Sequence, residues 1–132
     1  MEKRLVVVMV MVMVTVLGFI SVVTAVPGTA TYYDPPYVPS SCYGNQDNGV
    51  MIAGASDTIW GNRAACGRHY SVKCTGQVNT LPKPCKETSV VVRIVDYCPS
   101  PGCNGTINLS RDAFNAIANL QAGKIKIDYQ QV

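Results

Sequence analysis

The chain has 132 residues, 48% of them hydrophobic and 14% charged, with a formal net charge of +3. That length admits one domain of ordinary size, and so mild a charge excludes the basic footprint of a nucleic-acid binder.

Lys3 and Arg4 precede an apolar run from Leu5 to Val23 that only Thr15, Gly18 and Ser21 interrupt. A charged start, an apolar run and the small residues of Val23-Thr24-Ala25 make a secretory signal peptide cleaved after Ala25. Gly28-Thr29-Ala30 is a weaker second cleavage site. The run is nearly long enough to span a bilayer. Pro27 follows closely, however, and no basic stop-transfer cluster flanks its far end, so no membrane anchor is expected in the mature form. Residues 1–25 are therefore read as a leader and 26–132 as the domain. Removing Lys3, Arg4 and Glu2 leaves nine of eleven basic and seven of eight acidic residues, a formal net of +2.

Thr29 to Tyr33 reads as a short strand, rich in Thr and Tyr. Asp34-Pro35-Pro36 ends it, because proline cannot donate to a ladder. Residues 35–49 read as a long loop pinned by Cys42. Val50 to Ala53 reads as a buried strand, Trp60-Gly61-Asn62 as a turn, and His69 to Thr75 as an alternating strand. Leu81-Pro82-Lys83-Pro84 is a rigid loop. Ser89 to Tyr97 is the strongest strand, with Val90, Val92 and Ile94 on one face and Val91, Arg93 and Val95 on the other, as in a barrel wall. Asn108-Leu109-Ser110 leads into a helix over Arg111–Ala118. Ser110 serves as its N-cap, Asp112 suits the dipole, and Phe114, Ile117 and Ala118 form its apolar stripe. After Gly123, Lys124 to Tyr129 alternates strictly and closes the chain as a strand with one wet face. The class is mainly β with one short helix.

All six cysteines, Cys42, Cys66, Cys74, Cys85, Cys98 and Cys103, lie beyond the leader. An even count in a short secreted chain reads as a disulfide framework, for which the sequence alone leaves fifteen pairings open. No paired Cys-x-x-Cys spacing points to zinc, so neither metal nor cofactor is expected.

Four stretches are recognisable together. They are Ala30-Thr31-Tyr32-Tyr33, Arg63-Ala64-Ala65-Cys66-Gly67, Val92-Arg93-Ile94-Val95-Asp96-Tyr97-Cys98, and Ile107 to Phe114. They resemble the plant natriuretic peptide group, also called EG45-like domain proteins, which are similar to the first domain of expansins; barwin carries a similar Val-Arg-Ile-Val-Asp stretch. The resemblance covers nearly all of residues 28–132. It implies a six-stranded double-psi β-barrel with one short helix, stapled by disulfides. It also implies the pairs Cys42–Cys66 and Cys74–Cys85, leaving Cys98 with Cys103. His69 stands where expansin-like domains carry a further cysteine, whose partner near the domain's end is absent here as well. The second, cellulose-binding domain of expansins has no counterpart in this sequence, so wall loosening is not expected.

Related family 45 endoglucanases cleave β-1,4-glucan with two Asp residues. One protonated carboxyl donates to the leaving oxygen, and one carboxylate activates water about 6.5–9.5 Å away. By resemblance the acid's position falls on Asn108, whose amide has no proton to give at useful pH. Asp34 stands near the base position, but a base alone does not complete the mechanism. Asp96, at the end of the strongest strand, is a groove residue that hydrogen-bonds a sugar, a lone acid as in lytic transglycosylases, or a structural carboxylate that orders the Cys98 loop; structure or binding is preferred over catalysis. Thr31, Tyr33 and Asp96 are the groove candidates. Tyr32 and Tyr33 alternate faces, so only one can reach a groove, and the resemblance selects Tyr33. Trp60 is either a sugar platform or a packed anchor, and packing is preferred. Asn104-Gly105-Thr106 and Asn108-Leu109-Ser110 are N-glycosylation sequons.

The expected function is that of a secreted, non-enzymatic, peptide-hormone-like protein. By resemblance it acts as a monomer in the apoplast, in water and solute homeostasis or stress response, through a cell-surface receptor. The alternative is a cell-wall carbohydrate-binding module without hydrolytic activity. A glycan-cleaving enzyme is disfavoured by Asn108.

Overall fold

A computed structural model describes residues 24–132. The leader expectation for residues 1–25 therefore lies outside the described residues, apart from Thr24 and Ala25. Six strands make the wall: β1 (Val26–Tyr33), β2 (Ile52–Ala55), β3 (His69–Gln77), β4 (Ser89–Tyr97), β5 (Ile107–Ser110) and β6 (Ile125–Gln131). Around the barrel they run β1-β5-β2-β4-β3-β6, and β6 pairs with β1 to close it. The β1/β5 and β2/β4 pairs are parallel and the other four antiparallel. Closure leaves no long unpaired edge.

The alternation in the sequence fills the interior. Ala30, Val72, Val92, Ile94, Ile107 and Ile125 are all fully buried. Helix α2 (Arg111–Ile117) presents the fully buried Phe114 and Ile117 to the same core. Phe114 meets Tyr32 with ring centroids 4.9 Å apart, tilted by 51°, an arrangement that suits aromatic quadrupoles. Ser110 caps α2, accepting from Ala113 N at 3.1 Å.

Three bonds staple the loops: Cys42–Cys66, Cys74–Cys85 and Cys98–Cys103. The first holds the long loop before β2 against the segment before β3. That loop is held a second time where Cys42 N donates to Val95 O at 2.9 Å.

Elements differ from the sequence reading at several points. The first strand starts at Val26, not Thr29, because Val26 to Ala30 pair with Tyr129 to Ile125 of β6. The second strand starts at Ile52, not Val50; Val50 and Met51 are 46% and 41% exposed. Residues 107–110, read as a lead into the helix, form β5 between β1 and β2. A second helix of one turn, α1 (Asp57–Trp60), joins the one expected. It starts after extended Ser56 and stops at Gly61, whose φ of +56° is the left-handed conformation glycine supplies. Four residues are too few to show an apolar stripe, so the pattern missed it. Among the described residues, no helix is long and apolar enough to cross a membrane.

Candidate functional site

Strand register builds the site. Thr31 on β1 stands opposite Asn108 on β5, Asn108 opposite Gly54 on β2, and Gly54 opposite Asp96 on β4. These four residues form one rung across four neighbouring strands. Gly54 sits at its centre without a side chain, so the floor between Asn108 and Asp96 stays open. A Cβ at Gly54 would lie 3.6 Å from Asp96. Tyr33, two residues after Thr31 on the same side of β1, stands at one margin. The loop Pro99-Ser100-Pro101-Gly102 forms the opposite wall. Together Tyr33, Gly54, Asp96, Asn108 and this loop enclose a cleft of ≈ 340 Å³.

Hydrogen bonds fix Thr31, Asn108 and Asp96. Thr31 Oγ1 donates to Asn108 Oδ1 at 2.9 Å. Asp96 Oδ1 accepts from Ser41 N at 3.1 Å, Ser41 Oγ at 2.8 Å and Tyr97 N at 3.0 Å. One carboxylate oxygen therefore orders the start of the Cys42 loop. Asp96 Oδ2 and Asn108 Nδ2 have no hydrogen-bond partner among the described residues. The Tyr33 hydroxyl is buried without a partner. Burial first, and then the charges of Asp96 and Tyr37, push its pKa well above the usual phenol range, so the ring stays neutral. Its edge packs on Tyr37 at 5.2 Å.

The structure thus brings Tyr33, Asp96 and Asn108 to one cleft, with Thr31 fixed beside Asn108. It does not bring Asp34 there. Asp34 pairs with Arg111 at 3.0 Å, and both side chains are more than half exposed. Among the described residues, Asp96 is the one carboxylate lining the cleft. Trp60 stacks on Tyr97 at 4.6 Å and 11°. Tyr97 in turn donates to Asp57 Oδ1, and Ser100 N donates to Asp57 Oδ2 at 3.1 Å. Those two hydrogen bonds hold the exposed Asp57 carboxyl below its ordinary pKa. Tyr97 itself lines the cleft, and the Asp57 contact to Ser100 holds the wall loop beside it, with Trp60 packed on the Tyr97 ring. The sequence reading missed Ser41, Gly54 and Asp57. None carries a local signal: the pairing of β2 with β4 and β5 brings Gly54 and the following Asp57 to the site, and the folded Cys42 loop brings Ser41.

Comparison with known proteins decides the family. The chain is 57% identical over 105 residues to an EG45-like domain containing protein from Citrus jambhiri, covering 79% of each chain. The chain belongs to the EG45-like domain proteins. EG45-like domain containing protein 2 from Arabidopsis thaliana is 45% identical over 108 residues, covering 82% of each. The family described as lytic transglycolase matches residues 52–129. Among solved structures, a substituted Clavibacter michiganensis expansin in complex with cellohexaose aligns with a TM-score of 0.60 and 28% identity. That alignment covers 83% of this EG45-like chain but only 50% of the expansin. The Streptomyces papain inhibitor shares the fold, with a TM-score of 0.60 at 24% identity, over 94% of its own length.

Proposed function

We propose that this EG45-like protein is a secreted, non-enzymatic cell-wall protein whose mature domain, residues 26–132, binds β-1,4-linked glucan in the cleft of Tyr33, Asp96 and Asn108. The barrel is read as a double-psi barrel and the protein as a monomer. The observation that carries the proposal is the open rung. Asp96 Oδ2 can accept from a sugar hydroxyl and Asn108 Nδ2 can donate to one, across a floor that Gly54 leaves flat. The cellohexaose bound to the expansin of related fold supports that ligand class. The non-enzymatic reading rests on the same side chains. Two carboxyl groups are needed to cleave the bond by the two-carboxylate route, and among the described residues Asp96 is the one carboxylate that lines this cleft.

The family resemblance adds a signalling role in the apoplast, in water and solute homeostasis or stress response, through a cell-surface receptor. One experiment separates the two roles. The mature protein is presented side by side to insoluble cell wall and to plasma-membrane extract. Retention on the wall that is released by soluble cello-oligosaccharide, and lost in Asn108→Ala, supports the glucan reading. Capture by membrane protein alone sinks it and favours the receptor.

A further inference from the structure

A second cavity lies on the other side of the Cys98–Cys103 loop and takes no part in the cleft chemistry. It is an open depression of ≈ 390 Å³, and Thr29, Ser56, Asp57, Thr58, Asn104 and Thr106 are among the residues that line it. Its walls carry hydroxyl groups. The Ser56 hydroxyl is buried without a partner, in a residue only 7% exposed. Asn104 is the exposed acceptor of the sequon Asn104-Gly105-Thr106. Its side chain makes no hydrogen bond to any described residue, and its backbone follows the disulfide directly. The rest of the sequon is held firmly. Thr106 N donates to Thr29 O at 2.8 Å, and Thr106 Oγ1 accepts from Thr29 N at 3.1 Å.

The other sequon is placed very differently. Asn108 lies in the middle of the rung, its oxygen bound to Thr31. The hydroxyl of Ser110 is wholly buried, donating to Val50 O and accepting from Ala113 N. A glycan on Asn108 Nδ2 would have to leave through the cleft between Tyr33 and the wall loop. Occupancy at that position and a folded, open cleft oppose one another.

We propose that Asn104 carries an N-linked glycan, that Asn108 does not, and that the first sugar rests in the hydroxyl-lined cavity. The proposal rests on secretion, since the donor is a lipid-diphosphate-linked oligosaccharide of the secretory pathway. In the transfer, sugar C1 forms a bond to Asn104 Nδ2 and its bond to the diphosphate breaks. The lipid diphosphate leaves, and the amide nitrogen gives up one proton. The sugar then covers the side of the wall loop facing away from the cleft, where its hydroxyls meet Thr29, Thr58 and Thr106. The cleft stays clear for its own ligand.

The test expresses the full chain in plant cells treated to keep glycans of the high-mannose type, and assays cells and medium separately. Deglycosylation in heavy-oxygen water marks each occupied asparagine, and fragment spectra distinguish Asn104 from Asn108 within their shared peptide. The mark is expected on Asn104 alone, in protein recovered from the medium. Secreted protein with no mark, or with a mark on Asn108, overturns the proposal and leaves secretion standing. Unmarked chain kept inside the cell overturns both. A second measurement reads the cavity. Protein trimmed to a single sugar is compared with the Asn104→Gln variant. The trimmed form is expected to melt about 4 °C higher, a shift well resolved for a domain of this size. Equal melting temperatures overturn the docking of the sugar.

Discussion

The Thr31 hydroxyl donates to the Asn108 amide oxygen at 2.9 Å, at the position where the endoglucanase resemblance implies an acid. The contact decides what a carboxyl would do there. A hydrogen bond donated to a carboxyl favours its ionised form, and an ionised carboxyl has no proton for a leaving oxygen. Neither the unsubstituted protein nor Asn108→Asp is therefore expected to release reducing sugar from carboxymethyl-cellulose or mixed-linkage glucan. Activity in the unsubstituted protein that disappears in Asp96→Asn would show Asp96 acting as a lone acid and would end the non-enzymatic account.

Ser110 closes β5 and caps α2 with one hydroxyl. Ser110→Ala removes the acceptor for Ala113 N and leaves the Val50 carbonyl without its donor. Loss of the cap costs about 1 kcal/mol, while the carbonyl of the exposed Val50 turns to water. Denaturant unfolding should show a lower midpoint with an unchanged slope. A midpoint within error of the unsubstituted protein would mean that another acceptor replaces the hydroxyl.

The three disulfides should not matter equally. Cys98 and Cys103 are 5 residues apart and Cys42 and Cys66 are 24 apart. Chain entropy assigns about 2 kcal/mol to the short loop and about 3.5 kcal/mol to the long one. The double variant C98S/C103S should therefore lose less stability than C42S/C66S. It should nevertheless bind cello-oligosaccharide more weakly, because Pro99 to Gly102 wall the cleft. Undiminished binding would remove the loop from the site.

Asp57 supplies a pH-dependent contact. Its pKa is lowered by the Tyr97 hydroxyl and the Ser100 amide. A lowered folded-state pKa means stability that is present above the ordinary value of 3.8 and lost as pH falls through the lowered one. Asp57→Asn should therefore melt below the unsubstituted protein at about pH 6, and the gap should close towards about pH 2. A gap that stays constant over that range would show that the charge of Asp57 contributes nothing.

Much of the barrel was legible where strands alternate. Ser89–Tyr97 was read with its observed bounds, and the closing strand was read from Lys124-Ile125-Lys126-Ile127. The parts that stayed hidden share a physical cause. Ile107–Ser110 is four residues long and runs into α2 with no turn residue between, because Ser110 both ends the strand and caps the helix. Ile52–Ala55 contains glycine, which weakens strand propensity, and it follows two apolar residues that remain exposed. Both strands form because their neighbours pair with them. The cleft depends on those same pairings, so Gly54 could not be found by local pattern, and Ser41 reaches Asp96 only through the folded Cys42 loop. Thr31, Tyr33 and Asp96 are groove candidates named from family resemblance, which carries tertiary information that periodicity lacks.

The central claim is that the rung of Thr31, Asn108, Gly54 and Asp96 floors a glucan site that does not cut its ligand. Titration of isotope-labelled mature protein with cellohexaose, followed by amide chemical shifts, tests it most directly. Saturable shifts at Tyr33, Gly54, Asp96 and Asn108, with the hexaose intact at the end, are the predicted result. Shifts confined to other faces, no shifts at all, or shortened oligosaccharide in the tube would contradict it.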